Sequence, residues 1–138
     1  MKDTDCAYIA GIIDGEGTIT LTRFSSDARW RVPIVSVSST IREILEFLRG
    51  CCGGAIASRR SREAHHKPSW SWKLERLRAV TLCERILPYL REPEKRYRAE
   101  LLIEKYRKVT PRNGRYQEEQ VKEKELFEEM FFAWDGGR

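Results

Sequence analysis

Two carboxylates spaced by glycine, Asp14-Gly15-Glu16-Gly17, follow directly on the apolar run Ile9-Ala10-Gly11-Ile12-Ile13. Carboxylates are the ligands that hard cations such as magnesium take. Cations fixed in this way activate water and relieve charge on a phosphate ester. The spacing of Tyr8, Ile9, Ile12 and Ile13 predicts a short helix starting at Cys6, with Asp5 as its cap. The two acids then stand at its C-terminal end. Partial negative charge there disfavours each by about 0.3–1 kcal/mol, and a divalent cation would offset that. The bland alternative is a solvated turn, since Gly and Asp mark turns; the apolar helix running straight into the acids favours chemistry. Gly11 and Gly15 share one helix face. Small residues at that spacing let two helix backbones approach closely. A helix this short cannot span a membrane, so a soluble helix pair is expected.

The elements that must position this motif follow from periodicity. Residues 18–24 read Thr-Ile-Thr-Leu-Thr-Arg-Phe, a period-two strand. A turn at 25–28 leads to a second strand over 30–38, where Pro33 is allowed only if its missing N–H does no harm. Thr40 can cap a helix over 41–49 with Ile44, Leu45 and Leu48 as its core face, ended by Gly50, Gly53 and Gly54. Strands at 55–62 and 69–76 follow, joined by a basic loop. Helices come next over 77–90, interrupted near Pro88, and over 95–109. After a loop at 111–114, residues 117–134 form an amphipathic helix whose stripe Phe127, Met130, Phe131 and Trp134 suits docking on the body. Helix, two strands, helix, two strands and further helices make an α+β domain.

Strand alternation separates two faces. Ile19 and Leu21 oppose Thr18, Thr20, Thr22 and Phe24. Ala57, Arg59 and Ser61 fall together, as do Ser69, Ser71 and Lys73 opposite Trp70, Trp72 and Leu74. One polar face is ordinary for an antiparallel sheet. Its scarcity of acids is not, and Arg60, Arg62, His65, His66 and Lys67 add basic or titratable groups to the same hairpin. A two-stranded ribbon fits the major groove, where Arg or Lys takes bidentate bonds from guanine. The adjacent histidines read better as a phosphate contact or solvent-exposed residues than as metal ligands.

At 138 residues the chain suits one domain, 1–138, large enough for a real core. A net charge of +5 suits a polyanionic partner. The four cysteines form no CxxC pair and no zinc spacing, and are expected as free thiols in a reducing compartment. Neither a signal peptide nor a transmembrane stretch is visible, so an intracellular setting is expected, in prokaryotic cytoplasm or an organelle. The acidic motif occurs once, so a second copy must come from another chain.

The run from Ile9 to Gly17 resembles, position by position, the LAGLIDADG motif of homing endonucleases. It keeps the Ala-Gly pair, the Asp, the glycine spacers and a final acid, with Ile at two Leu positions and Glu16 where Asp is commoner. The resemblance implies an αββαββα fold with C-terminal helices, its core at about 4–109. It implies a metal-dependent enzyme that cuts double-stranded DNA as a homodimer with magnesium, or manganese in its place, and with no organic cofactor and no membrane. Glu16 is implied as catalytic acid and metal ligand, with Gly15 beside it. The implied dimer interface is Ile9, Ala10, Gly11, Ile12, Asp14 and Gly15, with Asp14 bracing a helix junction. Lys95 matches the family's basic catalytic residue if 91–94 holds a short insertion; Arg91 or Arg96 could serve instead. Ser39 matches a polar residue at the end of the second strand that holds water, or is only a turn residue before the helix. DNA contacts are implied for Thr18, Thr20, Thr22, Phe24, Ser36, Arg42, Ala57, Arg59, Ser61, Ser71 and Lys73. An intron-encoded endonuclease is the first reading. An RNA maturase, a non-catalytic DNA-binding regulator and a purely structural dimer are its rivals.

Overall fold

The first helix, α1 (Asp3–Glu16), carries two apolar stripes at helical spacing. Cys6, Ile9, Ala10 and Ile13 are wholly buried in the chain's own core. Tyr8, Gly11, Ile12 and Gly15 repeat the same i, i+3, i+4, i+7 pattern one face round, and Tyr8, Gly11 and Gly15 are exposed. The helix starts three residues before the expected point. Asp5 is therefore no N-cap: from the first turn its carboxylate accepts the Lys2 N–H at 3.3 Å.

The structure, a computed structural model, describes residues 1–59 and 67–136. After α1 come strands β1 (Gly17–Thr22) and β2 (Val32–Ser39), helix α2 (Arg42–Cys52), strands β3 (Ala55–Arg59) and β4 (Ser69–Glu75), and helix α3 (Leu77–Ile86). A 3₁₀ turn at Leu87–Tyr89 contains Pro88. Helix α4 (Pro93–Leu101) continues as a π-helical segment (Leu102–Tyr106), and α5 (Glu118–Phe131) closes the described chain. The expected α+β class and element order are thus observed. The strands form one antiparallel sheet in the order β1-β2-β4-β3.

One sheet face and the helices enclose the core. Ile19, Leu21, Val35, Val37, Trp72 and Leu74 point inward and are almost fully buried against α1, α2 and α3. Burial of each large side chain there contributes about 1.5–3 kcal/mol. Trp72 keeps its indole N–H satisfied by donating to the Gly53 carbonyl at 2.8 Å. That contact explains the turn after α2. A Cβ on Gly54, at φ +91°, would sit 2.4 Å from the Lys73 carbonyl oxygen.

Two local expectations shift. Thr40 does not cap α2; Ile41 precedes the helix, and the Ser39 hydroxyl accepts the Ile41 N–H at 3.0 Å. Gly50 lies inside α2, and Gly53 ends it at φ +81°. The C-terminal helix docks as its stripe implies, through buried Phe127 and Phe131. Glu128 adds a polar lock, accepting from the Arg31 guanidinium at 2.7 Å and from the Arg31 backbone N–H at 3.1 Å. No helix among the described residues is long and apolar enough to cross a membrane.

Candidate active site and nucleic-acid interface

Glu16 is the last residue of α1 and is exposed. Its carboxylate makes no hydrogen bond or ion pair among the described residues. Gly17 passes directly from helix to strand over the last turn. A Cβ on it would fall 2.7 Å from Ile13 Cα, a backbone atom that cannot give way cheaply. Only glycine lets the chain leave α1 so tightly, and Glu16 is held at that corner.

The offset for α1's negative end is found inside the chain. Lys95 Nζ donates to the Ile13 carbonyl at 2.7 Å and the Asp14 carbonyl at 2.8 Å. A cation on terminal helix carbonyls is the favoured placement. Asp14 reciprocates, accepting the backbone N–H groups of Arg91 at 2.9 Å and Glu92 at 3.1 Å. Glu92 in turn caps α4, accepting from Glu94 N–H at 3.2 Å and Lys95 N–H at 2.7 Å. The expected candidates Glu16 and Lys95 are thereby brought to one corner. Asp14 joins them as a brace, but between α1 and the start of α4 in one chain. The Glu92 cap was missed from sequence, although an acid before Pro93 at the first helical position is its signature. Ser39 lies at the end of β2, its hydroxyl already engaged in the turn before α2.

The expected dimer face needs one correction. Ile9 and Ala10 are fully buried within the protomer and cannot meet a partner. The outward face of α1 carries Tyr8, Gly11, Ile12 and Gly15, with Tyr8 edge-on to the Phe47 ring at 5.3 Å and Ile12 half-buried. It borders an open groove of about 540 Å³ with Ile44 on its far side and Glu16 at its rim. Apart from the adjoining turns of α1 itself, nothing among the described residues lies within 4 Å of a Cβ built on Gly11 or Gly15. Each glycine costs about 0.5–1 kcal/mol against alanine in a helix interior. The protomer's own packing does not require either.

The outward sheet face is assembled in register. Thr18, Ser36, Lys73 and Ala55 form one row across the four strands, and Ser38, Ser71 and Ala57 another. Glu75 is the only acid among the described strand residues of that face. A trough of about 1050 Å³ overlies it. Arg59 reaches across the trough and donates to the Ser38 hydroxyl at 3.1 Å. Thr20 and Thr22 continue the face along β1, and Phe24 stands two residues beyond it, 66% exposed. Arg42 is placed at the start of α2, ion-paired to Glu46 at 3.1 Å with its guanidinium 5.9 Å from the Trp70 ring centre. Such an exposed pair is worth at most about 1 kcal/mol and can be exchanged for another anion. Ser61, with Arg60, Arg62, His65 and His66, lies outside the described residues.

Other chemistries are disfavoured by environment. Burial pushes the Cys52 thiol up to about 11 and the Cys83 thiol up to about 12, so neither is a thiolate nucleophile at neutral pH. No three His, Cys, Asp or Glu side chains among the described residues converge on one point. The described residues of one protomer therefore hold no closed metal cage.

No family model matches the chain, and no curated protein matches it. Solved structures do. The homing endonuclease I-CvuI, crystallised with its target and calcium, matches with a TM-score of 0.72 and 19% identity over 99% of this chain and 85% of that one. The archaeal intron-encoded homing endonuclease I-Vdi141I, complexed with DNA, matches with a TM-score of 0.56 and 18% identity over 100% and 89%. The LAGLIDADG homing endonuclease I-GzeII, complexed with its DNA target, gives a TM-score of 0.69 and 13% identity over 94% of this chain but 44% of that one. At these identities the likeness speaks for architecture: this chain has the fold of the LAGLIDADG homing endonucleases.

Proposed function

We propose that the chain is a site-specific homing endonuclease acting on double-stranded DNA. In this reading it hydrolyses phosphodiester bonds at a long, nearly palindromic site, as a homodimer, with a divalent cation. The observation that carries the reading is Glu16: an exposed carboxylate, unpaired among the described residues, at the end of a helix whose outward face is lined by two glycines the protomer's described packing does not need. A second copy of α1 laid on Tyr8, Gly11, Ile12 and Gly15 would bring a second Glu16 to the same place, and a two-fold axis is the commonest way to do this. The solved relatives bound to DNA and the basic, acid-poor sheet face support the same substrate.

The residues present fit a magnesium ion. Glu16 and the adjoining Gly15 offer hard oxygen donors in an open site, and magnesium keeps several waters and takes few carboxylates. Manganese accepts the same donors. When bound, such an ion supplies charge relief on the phosphate and a more acidic water. The rest falls to the chain. Glu16 presents the anionic ligand. Lys95 fixes the end of α1 that carries it, and of its three donors two are spent on Ile13 and Asp14, leaving one for a phosphate oxygen or water. Ser36, Arg59, Ser71 and Lys73 bind and orient the duplex. The setting proposed is intracellular, in a prokaryote or an organelle, with the coding sequence in an intron.

The test is selection of cleaved sites from a random duplex library with magnesium, using the wild type and Glu16→Gln. The wild type should recover a near-palindrome. Glu16→Gln should bind that sequence and leave it uncut. Cutting by the variant would remove Glu16 from the chemistry. Binding of duplex without cutting by the wild type would favour the DNA-binding regulator, and preference for structured RNA the maturase.

A further inference from the structure

Arg76 joins β4 to α3 in a conformation that arginine rarely adopts. Its φ is +61°, and it is the only non-glycine residue with positive φ in the described chain. With ψ at −138° it lies in a region where a Cβ costs about 1–3 kcal/mol. The backbone there is fully used. The Arg76 N–H donates to the Pro33 carbonyl at 2.8 Å, and its own carbonyl accepts from Ala79 and Val80 at 3.0 and 3.2 Å. Glycine would make the same bonds without strain. The reason for arginine must therefore lie in its side chain.

Inside the protomer that side chain makes few contacts, though its charge opposes the upward push that burial gives the Tyr106 phenol. It has no carboxylate partner among the described residues. Its guanidinium lies 5.2 Å from the ring centre of Phe24, which is 66% exposed. An exposed contact of this type contributes about 0.5–1 kcal/mol, less than the strain it accompanies. The contact does something else: it holds an exposed guanidinium beside an exposed ring. Arg76 also lines the trough over the outward sheet face, beside Lys73. Its neighbour Pro33 pairs with Leu21, four residues along β1 from Gly17, so it is offset by about 13 Å along the strand direction from the Glu16 corner.

We propose that Arg76, laid over Phe24, is a specificity-determining residue that takes the major-groove edge of a guanine in the outer part of each half-site. This rests on the reading of the chain as a DNA endonuclease. A phosphate contact needs only positive charge. Bidentate bonding to guanine O6 and N7 needs the planar fork of arginine, which an aromatic face can support and lysine cannot replace.

The experiment is site selection from a random duplex library by the full chain, repeated with Arg76→Gly, Arg76→Lys and Phe24→Leu, alongside thermal unfolding of each. The wild type should prefer guanine at one outer position of each half-site. Arg76→Gly should lose that preference by roughly 5- to 150-fold, keep the rest of the consensus, and melt no lower than wild type because strain is relieved. Arg76→Lys should keep the charge and lose the preference. Phe24→Leu should weaken it at the same position. A wild type that selects no sequence would end the endonuclease reading and this inference together. A wild-type consensus that Arg76→Gly leaves intact at every position would overturn the inference alone. So would an even loss across all sequences, which marks a phosphate contact, and so would a preference that Phe24→Leu leaves untouched.

Discussion

Lys95 and Asp14 hold each other's helices. The Lys95 ammonium donates to the Asp14 carbonyl at 2.8 Å, while the Asp14 carboxylate accepts the backbone N–H groups just before α4. The exchange closes α1 against α4 in the very residues that lead into Glu16. Removing either partner leaves half-buried polar groups without their bonds, at about 1–3 kcal/mol each. Lys95→Met and Asp14→Ala should each lower the urea midpoint. Because they belong to one clasp, the double variant should lose less than the sum. Additive losses in a double-mutant cycle would mean that the two contacts act independently.

Gly11 and Gly15 separate the protomer's needs from those of the proposed dimer. Alanine fits both positions among the described residues, with nothing outside the adjoining turns of α1 within 4 Å of its Cβ. Gly11→Ala should therefore raise the intrinsic stability of α1 by about 0.5–1 kcal/mol. The same methyl would stand between two closely packed helices. Sedimentation should show a dimer for the wild type, a weakened one for Gly11→Ala, and a folded monomer for Gly15→Leu. A wild type that is monomeric at high concentration, or a Gly15→Leu dimer of undiminished affinity, would contradict this packing.

Lys124 makes stability depend on pH. It is almost completely buried on α5, donating to the Thr110 hydroxyl at 2.6 Å beside the Tyr106 ring. Burial pushes it down to about 8 from its usual 10.5, with nearby Glu128 opposing the shift. The folded state thus disfavours the ammonium. The penalty is fully present below pH 8 and is relieved as pH rises toward 10.5, the range in which the unfolded chain binds more protons. Tyr106 and Tyr116, raised mainly by burial, act oppositely at high pH. Comparison with Lys124→Met isolates the lysine. The wild type should gain in melting temperature on the variant between pH 7 and pH 9.5. A gap that does not move with pH would show that Lys124 titrates normally.

The order of elements was readable because each has its own period: alternation in β1 and β4, a three-to-four spacing in α1 and α2. Residues chosen on that basis, such as Ile19, Leu21, Trp72 and Leu74 for the core and Thr18, Ser71 and Lys73 for the outer face, stand where alternation puts them. The motif's free face was harder to read. Ile9 and Ala10 belong to a second apolar stripe, and a helix apolar on two sides does not say which side meets its own core. The tie between Asp14 and residues 91–92 is a tertiary contact across about 77 residues of chain, and no local pattern announces it. Arg76 was invisible for the opposite reason: sequence preference places glycine at such a backbone angle.

Gly17 offers the most direct link between backbone shape and the proposed catalysis. Its Cα passes so near α1 that a methyl would lie 2.7 Å from Ile13 Cα and 3.1 Å from Ile13 Cβ and Cγ1. Ile13 is fully buried, so it has little room to yield. Gly17→Ala must therefore push the β1 strand away from the helix end, and Glu16 moves with that corner. Overpacking of this kind costs about 1–3 kcal/mol in stability. The outward sheet residues lie further along β1, so duplex binding should fall little. Cleavage should fall much more, because a misplacement of about 1 Å at a reacting centre can cost roughly a hundredfold in rate. Single-turnover cleavage and equilibrium binding on one selected duplex separate the two effects. Equal loss in both would mean that Gly17 supports the whole sheet and does not position Glu16 in particular.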